Sequence, residues 1–160
     1  MDARLWYFAY GSNMSRAIFV ERRGMRPSAA RWGWIDGYRL CFDLPVGPGE
    51  RGVANVAADD GARTCGVIYQ ITATEAERLD RSEGVHVGYY QRIAVVVAAG
   101  GDRVDAFTYR SPHGTVGRKP SPRYMGLLLA GAREHELPAE YFDFLRSFEL
   151  AVDERMRTTR

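Results

Sequence analysis

Apolar and aromatic positions along this chain fall into short runs punctuated by glycine, and the period of the runs changes from one stretch to the next. Leu5 to Tyr10 is uninterrupted, with four rings in six places, a composition that suits a buried strand better than a surface helix; Gly11 stops it. Helical spacing returns in Met14-Ser15-Arg16-Ala17-Ile18-Phe19-Val20, with Ser12 and Asn13 as N-cap residue types and Gly24 closing the segment. The predicted order is strand, tight turn, helix start.

Gly33-Trp34-Ile35 and Tyr38 to Asp43 are strand material separated by Asp36-Gly37, a hairpin-type dipeptide, and Pro45 to Glu50 is loop. Val53 to Ala57 and Cys65 to Ile71 are further short β runs, and Ala58-Asp59-Asp60-Gly61 between them predicts a second hairpin. Thr74-Glu75-Ala76-Glu77 carries the capping-box pattern, so a helix is predicted from there to Glu83-Gly84. Tyr90 to Ala98 and Arg103 to Tyr109 flank Gly100-Gly101-Asp102, the clearest hairpin in the chain.

The loop Ser111 to Pro122, with three prolines and two glycines, is long enough for a functional lid and fits a plain connector as well. Ser121-Pro122 opens a helix with Tyr124, Leu127, Leu128 and Ala132 on one stripe; Pro138 opens another with Tyr141, Phe144, Leu145 and Phe148. Strands that come mostly as hairpins, with helices as separate inserts, predict an α+β domain around a small, mostly antiparallel, barrel-like sheet.

Composition narrows the classes. With 160 residues and 46% hydrophobic content the chain fits one domain, taken as 1–152, followed by a basic tail at 153–160 predicted to be disordered. Net charge is +2 and the arginines are scattered, apart from Arg155, Arg157 and Arg160, so nucleic acid is not an expected partner. Cys41 and Cys65 lie in apolar, strand-like surroundings without metal-ligand spacing, which predicts buried thiols and points to a reducing cytoplasm. The first apolar run is short for a signal core and no later run approaches a membrane span, so no membrane partner is expected. His113 and His135 are isolated and His86 has no nucleophile partner, so the prediction is no metal and an exposed His86.

Two places could carry chemistry. At Tyr10-Gly11-Ser12-Asn13 a glycine lets the backbone approach a ligand, and unpaired N–H groups at a helix start favour an anion, although the four residues alone fit an ordinary turn as well. Glu83 stands at a predicted helix end, where a carboxylate is mildly unfavourable; a solvated side chain is the plainer reading for it and for Asp80.

Taken together, the stretch Tyr7 to Met14, Glu83-Gly84-Val85 followed by Tyr90, and Ser121-Pro122-Arg123-Tyr124 with Gly131-Ala132, Leu137-Pro138 and Tyr141 resemble the γ-glutamylcyclotransferase family, in the family's order. The resemblance implies an enzyme without metal or cofactor that folds the γ-glutamyl group of a small-molecule substrate onto itself, giving 5-oxoproline and a released amine or amino acid, on a β-barrel surrounded by helices. It also implies that Tyr10, Gly11, Ser12 and Asn13 hold the glutamyl α-carboxylate, that Glu83 is the catalytic general base towards the α-ammonium, and that Tyr90 and Tyr124 lie at the site.

A free glutamate is a poor base towards an ammonium, so burial among rings such as Tyr10 and Tyr90 is expected to raise its pKa. Met14 fits the general Tyr-Gly-Ser-Asn branch. The alternative is a non-catalytic protein of the same fold that binds a glutamyl-like anion, against which the presence of Glu83 counts. Trp32 and Trp34 suit either core or interface, and a homodimer is expected.

Overall fold

The ring-rich run forms β1 (Arg4–Ala9), which holds three of its four rings, Tyr10 lying just past the end, and both edges of the strand are paired. In a computed structural model of the protein, which describes residues 2–152, β1 lies antiparallel to β3 (Gly52–Thr72), with Tyr7 opposite Tyr69 and Phe8 opposite Ile68. On its other side it runs parallel to β5 (Asp102–Arg110), where Tyr7 faces Phe107. With β2 (Ala29–Pro45) and β4 (Gln91–Ala99) the order β1-β3-β2-β4-β5 closes into a barrel, which removes every open sheet edge. The fold is therefore α+β, a small barrel with one parallel seam and helices outside it. Phe8, Val56, Val67, Ile68, Ile71 and Val97 are buried in its core, each contributing about 2 kcal/mol of apolar burial.

Two predicted hairpins do not exist. β2 and β3 are single long strands paired with each other along most of their length, and the Asp36-Gly37 and Asp60-Gly61 turn chemistry serves an irregularity within that pair. The register passes from Asp36 opposite Arg63 directly to Tyr38 opposite Ala58, so Gly37 alone faces residues 59–62; both glycines have positive φ, 83° and 87°. Positive-φ residues serve a bulge as readily as a hairpin, and strand bending replaces chain reversal here. The β4–β5 hairpin around Gly100-Gly101 forms as expected.

The predicted helix after Gly11 is replaced by a short 3-10 turn, Ser12–Met14, and one π-helical segment, Ala17–Arg22, with Gly24 closing it at φ 71°. α1 (Ala73–Ser82) begins two residues earlier than expected. Its capping box is Thr72 with Glu75, not Thr74 with Glu77, because β3 runs unbroken to Thr72 and delivers that threonine in extended conformation. α2 (Pro122–Glu134) starts at Ser121-Pro122 as expected and buries Met125, Leu128 and Ala132. α3 (Ala139–Arg146) follows Pro138 and buries Tyr141 and Leu145; Phe148 lies past its end, its ring 4.8 Å from Phe42.

Trp34 packs edge-on to Tyr141 beneath Arg63, whereas Trp32 is 36% exposed. Cys41 is half-buried and Cys65 buried; both are free thiols, and burial pushes their pKa values up to about 11 and about 12. No helix among the described residues is long and apolar enough to cross a membrane. The expected tail at 153–160 lies outside the described residues.

Candidate active site

One end of the barrel opens into a cavity of about 230 Å³ lined by six of the nine tyrosines, together with Gly11, Ser12, Asn13, Arg23 and Glu83. All the residues singled out from sequence meet here: the turn after β1, Glu83 at the end of α1, Tyr90 before β4 and Tyr124 in the first turn of α2.

Glu83 is the C-cap residue of α1, and the left-handed Gly84 behind it turns the chain away. Its side chain is 13% exposed and faces the turn, where Asn13 Nδ2 donates to Glu83 Oε1 at 3.2 Å. Arg23, at the end of the π-helical segment, brings Nη2 to 4.0 Å from the same oxygen. Burial raises the Glu83 pKa, and the Arg23 cation and the Asn13 amide pull it back without cancelling the rise. The group is thus a stronger base than an exposed glutamate, and it is held in place.

Asn13 was expected to cap a helix through its side chain; it makes no such bond, and Gly11 stands at the cap position. The Asn13 amide is instead a buried bridge. Nδ2 also donates to Tyr7 Oη at 3.0 Å, and Oδ1 accepts from Arg23 Nε at 2.6 Å. Met14 and Ser15 spend their N–H groups inside the turn, on Gly11 O and Ser12 O, while the amides of Gly11, Ser12 and Asn13 donate to no backbone carbonyl among the described residues, that of Ser12 lying against the Tyr124 hydroxyl. Tyr69 fixes the turn from below, its hydroxyl within 2.9 Å of Asn13 O and 3.1 Å of Met14 O.

The tyrosines divide by their bonds. Tyr10 donates to Tyr109 O at 2.6 Å and Tyr90 to Ala54 O at 2.7 Å, so both hydroxyl protons are committed to backbone. Tyr124 Oη accepts from Ala54 N–H at 3.1 Å and has the backbone and the hydroxyl of Ser12 as further hydrogen-bonding neighbours. Burial pushes Tyr124 up to about 12 and holds Tyr7, Tyr10 and Tyr90 well above the ordinary phenol value, so all four stay protonated at neutral pH.

Asp80, one turn from Glu83, faces elsewhere, accepting from Arg92 Nη2 at 2.8 Å and from the Tyr109 hydroxyl. His86 is exposed, and among the described residues no group of three His, Cys, Asp or Glu side chains could share a metal ion. The loop 111–122 contributes nothing to the cavity lining. It is tied down by Ser111 to Asn55 and Tyr89, His113 to Gly88 O and Arg118 to two carbonyls.

Arg23, Tyr7 and Tyr109 were not found from sequence. Arg23 sits in the Arg22-Arg23-Gly24 run without a motif around it, and Tyr7 reads as one more core ring.

The model of the AIG2-like family matches residues 63–145, a span that holds Glu83, Tyr90 and Tyr124. The chain is 32% identical over 151 residues to the gamma-glutamylcyclotransferases of Bos taurus and Homo sapiens, covering 89% of this chain and 78% of each relative. A solved structure named gamma-glutamyl cyclotransferase superposes with a TM-score of 0.79 at 27% identity, over 97% of this chain and 96% of the other.

Proposed function

This chain belongs to the γ-glutamylcyclotransferase family and is an enzyme of that type, and we propose that Glu83 is its general base in converting a γ-glutamyl amino acid or γ-glutamyl amine to 5-oxoproline. The observation that carries this reading is the raised-pKa carboxylate of Glu83, bonded to Asn13 and sharing one small cavity with the turn Gly11-Ser12-Asn13.

The substrate's α-carboxylate sits at the backbone N–H groups of Gly11, Ser12 and Asn13, below the hydroxyl of Ser12, where the exposed donors of a helical turn favour an anion. That contact places the α-ammonium beside Glu83. The carboxylate takes a proton from it, and the freed amine attacks the γ-carbonyl carbon of the same molecule. A C–N bond forms, the ring nitrogen gives up a second proton as the amide bond to the leaving group breaks, and the departing nitrogen takes up both protons and leaves as an ammonium.

Amine and carbonyl belong to one substrate, so holding it folded does much of the work and no protein nucleophile is required. Tyr124 supplies a donor for the developing oxyanion, its hydroxyl held at the cavity wall by Ala54 N–H and by Ser12. Tyr10 and Tyr90 shape the walls and keep Glu83 dry. Arg23 limits the rise of the Glu83 pKa.

The test is to incubate the purified protein with a panel of γ-glutamyl amino acids and amines, glutathione included, and detect 5-oxoproline by mass. At least one member should release it. A panel that yields none while glutamate-like ligands still bind would leave a binding protein and overturn the reading.

A further inference from the structure

A second cavity, of about 160 Å³, adjoins the first and shares Val53 and Tyr124 with it. It is walled by Val46, Val53 and Leu127 on the apolar side and by Arg51 and Arg123 on the other, with no carboxylate in its lining. Among the described residues neither guanidinium makes an ion pair, and Arg51 Nε is buried without any hydrogen-bond partner. The neighbouring Glu50 reaches Lys119 at 3.4 Å and the Val152 amide. Arg118 Nη1 pins the carbonyls of Gly47 and Arg51 at 3.1 and 3.0 Å, so the wall is fixed. A buried, unmet guanidinium N–H is costly unless a ligand satisfies it, and a planar fork of donors matches a carboxylate.

Resting on the cyclisation reading of the neighbouring cavity, we propose that this chamber receives the leaving group, and that Arg51 and Arg123 select substrates whose leaving group is an apolar α-amino acid, its carboxylate on the two arginines. With the glutamyl carboxylate at the turn and Glu83 at the α-nitrogen, the scissile amide lies against Tyr124, the wall common to both chambers. The atoms beyond it enter among Val53, Val46 and Leu127. A γ-glutamyl amine of the same shape brings no negative charge and leaves Arg51 Nε unmet; a polyamine brings a positive charge and is repelled.

The test compares γ-glutamyl-leucine with γ-glutamyl-3-methylbutylamide, which differ only by the carboxylate, in calorimetric binding and in 5-oxoproline release. The wild-type protein should favour the leucine compound by about 10- to 100-fold in Kd and in kcat/KM, the usual range for a charge-assisted pair. Arg51→Met and Arg123→Met should each shrink that ratio, Arg51→Met to within about threefold. Arg123 is exposed, so its variant reports even if Arg51→Met fails to fold. A wild-type ratio near unity, or a ratio that survives both substitutions, overturns the proposal. A preserved binding ratio without turnover of either compound supports the chamber and retires the cyclisation reading; turnover of both at equal efficiency does the reverse.

Discussion

Replacing Glu83 with glutamine separates chemistry from stability, because the two predicted effects have opposite sign. The substitution keeps the side chain's size and leaves an oxygen to accept from Asn13 Nδ2, now at 3.2 Å, while deleting the proton acceptor. Turnover should fall by roughly 10²–10⁴-fold with little change in affinity, the usual contribution of a positioned base. The folded pKa of Glu83 lies above its unfolded value, so its contribution to stability is present below the unfolded pKa and is lost as pH rises through the folded one. Glu83→Gln should therefore melt at or above the wild-type temperature at neutral pH, and the difference should vanish below about pH 4, where unfolded glutamate is protonated.

Asp80→Asn is the counterpart. It breaks a two-point ion pair with Arg92, at 2.8 and 3.2 Å, whose side chains are 25% and 34% exposed. After allowance for solvent screening the loss is about 1–2 kcal/mol, or roughly 2–8 °C in a domain of this size. The Asp80 variant should remain active. Mass detection of 5-oxoproline beside scanning calorimetry at pH 4 and pH 7.5 reads both variants. A folded Glu83→Gln with full activity, or one that melts well below wild type at neutral pH, refutes the reasoning.

Three further outcomes follow from the same geometry. Arg23→Gln removes the cation that holds the Glu83 pKa down, so the acid limb of kcat/KM should move to higher pH; an unmoved limb means Arg23 does not act on Glu83. Tyr124→Phe removes the hydroxyl at the wall between the chambers and should lower kcat by about 10- to 100-fold with KM little changed, as for loss of an oxyanion donor; a change confined to KM counts against that role. Amidating the substrate's α-carboxylate should raise KM strongly, and unchanged kinetics would take Gly11, Ser12 and Asn13 out of the site.

The elements legible in the sequence were those whose signal is local and complete. The run ending at Tyr10 is too ring-rich for an exposed helix, Gly100-Gly101 sits between two alternating segments, and Ser121-Pro122 supplies both a cap and a first helical residue. Asp36-Gly37 and Asp60-Gly61 misled because a positive-φ glycine states a local backbone shape and leaves open whether the flanking strands reverse or continue. What decided it was the long-range pairing of β2 with β3 across the barrel, which no window of a few residues contains. The capping box was displaced for a similar reason. Two threonine–glutamate pairs with the right spacing overlap, and the strand register, not the cap chemistry, selects Thr72.

The site was legible in its residue types and only partly in their use. Arg23 reaches Asn13 across 10 positions, but Asn13 meets Glu83 across 70 and Tyr10 meets Tyr109 across 99, contacts that follow from barrel closure alone. Asn13 shows what that means physically. An asparagine at a helix start suggests a side chain bonded to an amide two or three residues further on. Its amide turns instead to Tyr7, Glu83 and Arg23, and so the same side chain that belongs to the turn fixes the base that must stand next to the anion proposed to bind there. One buried amide thus couples the cradle to the carboxylate, so Glu83 is positioned from the substrate-binding turn as well as from the helix that carries it.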